Sequence, residues 1–300
     1  MKIDEVKRVL TIGAGTMGHQ IGFLCAMNAY DVVVYDVASD VFDATRMRLA
    51  QLADRFVKRG RLPAGEKAAV LGRITFTDDA KAAAEDVDIV TESVPEDPQL
   101  KGRVFAEFNR LCPARTVFTT NTSTLVPSMF AEATGRPDRF LAFHFHDTLL
   151  TNVVDVMPHP GTSAESVELI RAFAGRLHQR VILLERENVG YVFNAMLSDL
   201  FKSALVLAAN GVAAVEDIDR AWMGVLQSPV GPFGMMDKVG LDIVWKISDY
   251  WARATNDPQL TANARFLKMR IDEGRLGVKC GTGFYTYPAP LFQQPDFLTG

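Results

Sequence analysis

The stretch Val9-Leu10-Thr11-Ile12-Gly13-Ala14-Gly15-Thr16-Met17-Gly18, followed by Val32-Val33-Val34-Tyr35-Asp36, decides the fold. It reads as a buried strand, a glycine turn, a helix, a second strand and then an acid. Each part suits the holding of a dinucleotide. Gly13 permits the tight turn, Gly15 lets backbone approach a pyrophosphate, and Gly18 lets the helix pack closely on the strand. The amides of Gly15, Thr16, Met17 and Gly18 open the helix, where unpaired donors and the positive dipole end favour an anion. Asp36 ends the second strand, where its carboxylate can accept both ribose hydroxyls and repel a 2′-phosphate, so NAD is expected rather than NADP. A glycine pattern alone also fits a plain strand-turn-helix with no ligand. Here a strand precedes it, an amphipathic helix carrying Ile21, Leu24, Cys25 and Asn28 follows, and the acid comes after the second strand.

Working outward, the first half alternates strand and helix. Strand-like runs lie near Val9–Ile12, Val32–Tyr35, Ile74–Phe76, Ile89–Thr91, Val117–Thr119, Phe140–Phe145, Val153–Met157 and Val181–Leu184. Helical patterns fall around Thr16–Asn28, Ser39–Arg59, Ala64–Leu71, Gln99–Leu111, Ser128–Ala133 and Ser163–Leu177. This alternation implies an α/β, Rossmann-type doubly wound sheet, mainly parallel, with helices on both faces. Ser39–Leu71 exceeds a simple crossover and suggests a projecting helical hairpin turning at Gly60-Arg61-Leu62-Pro63. Beyond Glu187 the pattern is all helix: Gly190–Asn210 capped by Gly211, then Val215–Met223, Met235–Ala254 and Pro258–Glu273. Two domains are therefore expected, residues 1–186 for NAD and residues 187–300 as a helical C-terminal domain.

Composition limits the partners. With 300 residues, 48% hydrophobic, 23% charged and a net charge of −4, the chain has no electrostatic footprint for nucleic acid or anionic membrane. The apolar run from Ala204 is too short and interrupted to span a bilayer. The N-terminus lacks the pattern of a signal or transit peptide, which points to the cytoplasm. Cys25, Cys112 and Cys280 are scattered, odd in number and without metal spacing; core filler in a reducing compartment is expected, and no metal set.

Proton transfer near neutral pH points to histidine. His19 follows the glycine turn and His178 ends a helix, both better suited to structure. His144 and His146 lie at the end of the strand-like run Leu141-Ala142-Phe143-His144-Phe145-His146 and point the same way, at the strand end where open parallel sheets bind ligands. One can be the base and the other its neighbour; two merely hydrogen-bonded histidines is the alternative. Asp155 interrupts an apolar run and needs a partner, which a histidine on an adjacent strand would supply unless it faces solvent from an edge. Ser123 follows another strand and either donates to a substrate oxygen or the nicotinamide, or caps a helix. Asn194 lies on a helix among apolar neighbours and needs a hydrogen-bond partner.

These residues together resemble the 3-hydroxyacyl-CoA dehydrogenase family over nearly the whole chain. The likeness runs from the glycine turn and Asp36 through Glu92-Ser93-Val94-Pro95-Glu96-Asp97 with Lys101, and Asn121-Thr122-Ser123. It continues through His144-Phe145, Gly190-Tyr191-Val192-Phe193-Asn194, Gly231-Pro232-Phe233-Gly234 and Gly240-Leu241-Asp242 to Gly281-Thr282-Gly283-Phe284-Tyr285-Thr286-Tyr287. The resemblance implies that Glu96, Lys101 and Ser123 join Asp36 at the NAD. It further implies that His144 is the acid/base residue, that Ser123 and Asn194 hold the reacting oxygen, and that the helical domain forms a homodimer. A CoA nucleotide would lie near Lys58 and Arg59, and fatty acid metabolism is the implied setting.

Two departures stand out. The family usually reads His-Phe-Phe-Asn-Pro, a lysine, then a glutamate that pairs with the histidine. This chain has His144-Phe145-His146-Asp147-Thr148, no lysine in that loop, and Asp155 one place earlier than the glutamate. Met157-Pro158-His159-Pro160-Gly161-Thr162 resembles a side branch that includes L-gulonate dehydrogenase and lambda-crystallin. The expected activity is reversible hydride transfer between NAD and the C3 hydroxyl of an acyl-CoA. A 3-hydroxy acid without CoA and a catalytically silent NAD-binding protein are the rivals.

Overall fold

A computed structural model describes residues 1–299; the final residue of the expected second domain, 300, lies outside the described residues. The first of two compact units, Met1–Asn194, is built on an eight-stranded sheet. In chain order it contains β1 (Arg8–Ile12), α1 (Thr16–Met27), β2 (Asp31–Tyr35), α2 (Phe42–Lys58), α3 (Lys67–Gly72), β3 (Ile74–Thr77), α4 (Ala80–Ala83) and β4 (Ile89–Glu92). Then follow α5 (Pro98–Leu111), β5 (Val117–Thr120), β6 (Phe140–Phe145), β7 (Val153–Pro158), α6 (Ala164–Arg176) and β8 (Arg180–Leu183). The order across the sheet is β3-β2-β1-β4-β5-β6-β7-β8, with only the β6–β7 pair antiparallel.

Alternation along the strands explains why both faces are covered. Val9, Val32, Val34 and Ile89 enter the core beneath α1, α2 and α6, whereas Leu10, Val33, Tyr35 and Val90 enter the opposite core with Phe105 and Phe108 of α5. Helices α2 and α3 form the expected hairpin, turning at Gly60–Pro63, and Phe56 meets Phe23 of α1 edge to face at 5.2 Å. The chain winds outward from β1 through β2 to β3 on one side and from β4 through β5 on the other, so the β1 and β4 ends form the switch point where such sheets take ligands.

One expected helix is absent. Ser128–Ala133 forms only two 3₁₀ turns, Pro127–Met129 and Glu132–Thr134, the second ended by left-handed Gly135. A segment this short lacks the length to offset helix nucleation.

The second unit begins at Ala195 and has its own core around Phe201, Leu205, Phe233, Met236 and Leu267. Its helices are α7 (Phe193–Ala209, its first two residues in the first unit), α8 (Val215–Leu226), α9 (Pro232–Val239), α10 (Leu241–Thr255) and α11 (Pro258–Asp272). Two boundaries differ from expectation. Gly190 and Tyr191 both have positive φ, 77° and 56°, so the helix expected from Gly190 starts only at Phe193. The single helix expected over Met235–Ala254 is broken at Gly240, where φ is 102°. Buried Asp219 accepts from the Phe233 and Gly234 amides at 2.9 and 3.0 Å and from the Tyr285 hydroxyl at 2.9 Å. Asp237 likewise accepts from the Phe284 and Tyr285 amides, so the two acids pin the C-terminal turns to the helices. Cys25 and Cys112 are buried as expected, but Cys280 is exposed in a turn, its Sγ taking the Leu276 amide rather than filling the core. No helix among the described residues is long and apolar enough to cross a membrane.

Candidate active site

The glycine turn is shaped by close approach. Gly13 has φ 100°, and a Cβ there would lie 2.8 Å from the Ser93 carbonyl oxygen; a Cβ on Gly18 would lie 1.8 Å from the Gly13 oxygen. Gly15 has nothing within 4 Å of its Cβ position, so the space beside the helix start is open. No side chain caps α1 and no acid stands in its first turn, which leaves the amides of exposed Thr16 and half-buried Met17 to an anion. Asp36 accepts from the Ala14 amide at 2.8 Å and the Ala38 amide at 3.1 Å, which aims its carboxylate at the turn. Thr45 of α2 donates to the Ala14 carbonyl, and the His19 Nδ1–H donates to the Gly15 carbonyl at 2.7 Å. His19 is thus a structural brace, and burial lowers its affinity for a proton. The open space, free amides and aimed carboxylate fit a dinucleotide.

A second network lies beyond β4 and β5. Lys101 of α5 is 1% exposed, and its ammonium contacts Glu92 Oε1 at 2.7 Å, the Val94 carbonyl at 3.1 Å and Glu96 Oε2 at 3.2 Å. Those three acceptors match its three protons, so Lys101 holds Glu96 in place and has no donor left over. Glu96 Oε1 in turn accepts from the Thr122 hydroxyl at 2.7 Å and the Ser123 amide at 2.8 Å. Burial works to raise the Glu96 pKa, but Lys101, Thr122 and Ser123 outweigh it and hold the carboxyl below its ordinary value. Ser123, Glu96 and Lys101 therefore stand together. Asn121 accepts from the Phe145 amide at 2.7 Å and fastens this loop to the end of β6.

There the histidines stand. His144 and Asp155 are register partners in the antiparallel β6–β7 pair, and His144 Nδ1 lies 3.0 Å from Asp155 Oδ2. Both are buried, at 5% and 1% exposure. Burial works to raise the Asp155 pKa, yet the hydrogen bonds from His144 and His146 prevail and keep it below the ordinary carboxylate range. His146 Nε2 lies 3.2 Å from the same oxygen. The three facing atoms lie within 4.8 Å of one another, a spacing a transition metal could bridge, although His144 Nδ1 and Asp155 Oδ2 already partner each other. Tyr191 lays its ring 4.8 Å from that of His144, and burial holds its phenol protonated. Asn194 is half-buried in the first turn of α7, beside exposed Phe193 and Met196 rather than on a mostly buried helix.

The loop after β6 is tied down on two sides. Thr148 donates through its amide and hydroxyl to Gln20 of α1 at 3.1 and 3.0 Å. Arg59 donates to the Leu149 carbonyl at 2.6 Å, and Arg61 to the Thr148 carbonyl at 2.9 Å. Asp147 bonds the Leu149 amide at 2.9 Å as a turn former.

A model of the 3-hydroxyacyl-CoA dehydrogenase NAD binding domain matches residues 8–188, and one of the same family's C-terminal domain matches residues 190–287. The chain belongs to the 3-hydroxyacyl-CoA dehydrogenase family. Its cofactor is NAD and it is an oxidoreductase. The 3-hydroxybutyryl-CoA dehydrogenase of Mycobacterium tuberculosis is 32% identical over 286 residues, 95% of this chain and 99% of its own. Mitochondrial hydroxyacyl-coenzyme A dehydrogenase of Homo sapiens is 30% identical, over 94% of this chain and 91% of its own. A solved structure of a diketoreductase, described for dual catalysis of dicarbonyl compounds, has a TM-score of 0.87 at 36% identity, covering 94% of this chain and 99% of its own.

Set against the family pattern, Asp155 reaches His144 despite its early position because β7 pairs with β6 in that register. His159 belongs to its loop: its Nε2–H donates to the Pro137 carbonyl at 2.9 Å and its Nδ1 accepts the Gly161 amide. Sequence reasoning missed Gln20, Arg61 and the bracing by Asn121. Hydrogen bonds from distant elements carry no local periodicity that would mark them.

Proposed function

We propose that the chain interconverts a short-chain 3-hydroxyacyl-CoA and the 3-ketoacyl-CoA. The observation that carries this reading is the buried His144–Asp155 pair at the sheet end that also bears the glycine turn. NAD, when bound, supplies or takes up the hydride. In oxidation the C3 hydroxyl loses its proton to His144 Nε2, the nitrogen that makes no hydrogen bond to a described residue. Asp155 holds the Nδ1–H and stabilises the resulting imidazolium. Ser123 and Asn194 donate to the oxygen as charge develops on it. The amides from Gly13 to Gly18 hold the pyrophosphate and Asp36 the ribose, with Glu96 and Ser123 on the nicotinamide side. Lys101 acts there through Glu96.

Residues 1–186 form the NAD domain in this reading, and residues 187–300 the substrate and dimerisation domain. Ile243, Ile247, Tyr250 and Trp251 leave one apolar face of α10 exposed, which supports a homodimer. The cytoplasm and fatty acid metabolism complete the proposal.

A second reading has a specific observation in its favour. Arg59 and Arg61 spend donors on loop carbonyls, and the likeness to a diketoreductase that acts on dicarbonyl compounds favours a dicarbonyl substrate without CoA. NADH-dependent reduction of acetoacetyl-CoA, acetoacetate, L-gulonate's keto product and a diketone separates the two. The proposal expects kcat/KM for acetoacetyl-CoA to exceed the others by about tenfold or more. A free acid or diketone that matches or exceeds it overturns the CoA assignment. NADH binding with no turnover of any of them favours a silent binding protein.

A further inference from the structure

His144 lies on β6 and His146 just past its end, two residues on, and both rings reach the same atom. Asp155 Oδ2 lies 3.0 Å from His144 Nδ1 and 3.2 Å from His146 Nε2, and the rings meet edge to face at 4.7 Å. A carboxylate oxygen only accepts, so the His144 Nδ1 bonded to it carries a hydrogen, and the charge of the carboxylate favours a hydrogen on the nearby His146 Nε2 as well. The contact with Asp155 thus favours opposite tautomers in the two neutral rings. His144 keeps a bare Nε2, as a base requires, and His146 keeps a bare Nδ1.

We propose that His146 is a positioning residue for the dehydrogenation, taking a share of the Asp155 charge that would otherwise go wholly to the His144 imidazolium. This rests on the reading of His144 as the base. Two rings facing one oxygen compete for its charge, and two imidazolium rings at this spacing repel each other. His146 thereby makes His144 release its proton more readily and extends oxidation to lower pH. The other titratable groups near the pair are few. Asp155 approaches from β7 and the Tyr191 phenol lies against His144, with Glu92, Glu96 and Glu187 further out around Tyr191. His146 is 17% exposed in its side chain and touches Phe193 edge to face, so an aromatic replacement can keep the packing.

The test is the pH profile of kcat/KM for oxidation of 3-hydroxybutyryl-CoA by the full chain over about pH 5 to 8. Wild type, His146→Phe, His146→Gln and His144→Gln are compared. With its competitor gone, the His144 imidazolium is more stable, and the acid limb of His146→Phe moves up by about 0.5–1 pH unit. His146→Gln keeps an N–H for Oδ2, so its limb moves less, and KM for NAD stays within about twofold in both variants. A His146→Phe limb that superimposes on the wild-type limb overturns the proposal. Should His144→Gln retain both turnover and limb, the base assignment falls first and this inference with it. Nitrogen-15 spectra of the wild-type histidines give a check that needs no variant. They should show an Nε2–H tautomer for His146 beside an Nδ1–H tautomer for His144, and the same tautomer in both overturns the proposal.

Discussion

Asp155 faces His144 directly across the antiparallel β6–β7 pair, its Oδ2 3.0 Å from Nδ1. The contact is fixed by strand register rather than by loop geometry, and both side chains are buried, so the imidazole has little freedom to turn. Asp155→Asn removes the charge but preserves the shape. It should lower kcat by about 10²–10⁴-fold, as expected when a base loses the acid that sets its tautomer and stabilises its cation. NADH affinity, read by fluorescence titration, should stay within about twofold. A kcat near wild type removes Asp155 from the proposed mechanism.

The two reaction directions should respond to pH in opposite ways. The Asp155 carboxyl sits below its ordinary range, held there by the two histidine hydrogen bonds against burial, so it stays ionised throughout neutral and mildly acid solution. Oxidation needs a neutral His144 and should fall as pH drops. Reduction needs a protonated one and should fall as pH rises. Initial rates in each direction check this, and limbs of the same sense in both directions would contradict it.

The glycine turn separates folding from binding. A Cβ on Gly18 meets the Gly13 carbonyl oxygen at 1.8 Å, so Gly18→Ala must move backbone and should lower both Tm and NADH affinity. Gly15→Ala meets nothing within 4 Å in the protein, and its methyl enters the space left for the pyrophosphate. Its Tm should change by less than about 2 °C, as for a shift well under 1 kcal/mol in a chain this size. NADH affinity should nonetheless fall by about tenfold or more. Unchanged affinity in Gly15→Ala would place the pyrophosphate elsewhere.

Removing Lys101 should expose the cost of a buried acid. Glu92 is fully buried; burial pushes its pKa up, and Lys101 is the cation that opposes this. Lys101→Met should destabilise the fold by about 3–5 kcal/mol, since it leaves one partner of a buried pair uncompensated. The sign of the pH dependence follows from linkage. With a folded-state pKa further above the unfolded value, Glu92 binds its proton more tightly in the folded state, so stability is kept in acid and lost as pH rises through the folded value. The deficit, read by urea titration, should thus be largest at neutral and alkaline pH and shrink toward acid. A deficit independent of pH would argue that lost packing, not charge, is responsible.

Much of this molecule could be read from local signals. Eight apolar runs marked the strands, six of them largely buried and the edge strands β3 and β8 more exposed, and the glycine turn with Asp36 marked the NAD domain because backbone sterics restrict those positions to few residues. What escaped depends on distant partners. The positive φ at Tyr191 is held by its amide donating to the Asn188 carbonyl and by the Asn188 side chain donating to the Tyr191 carbonyl, and apolar periodicity continues through it undisturbed. The pairing of Asp155 with His144 was legible only as a condition, that its strand lie beside β6. The meeting of His146 with the same oxygen needed the register itself. Lys101 is expected at the NAD by resemblance, but nothing in its own helix shows that Glu92, Val94 and Glu96 close around it.

The most direct measurement is turnover of His144→Ala with acetoacetyl-CoA and NADH, taken beside its NADH affinity. The account predicts kcat reduced by about two or more powers of ten with NADH binding nearly intact. Near-wild-type turnover in this variant would contradict it, leaving the NAD fold without the acid/base residue proposed for it.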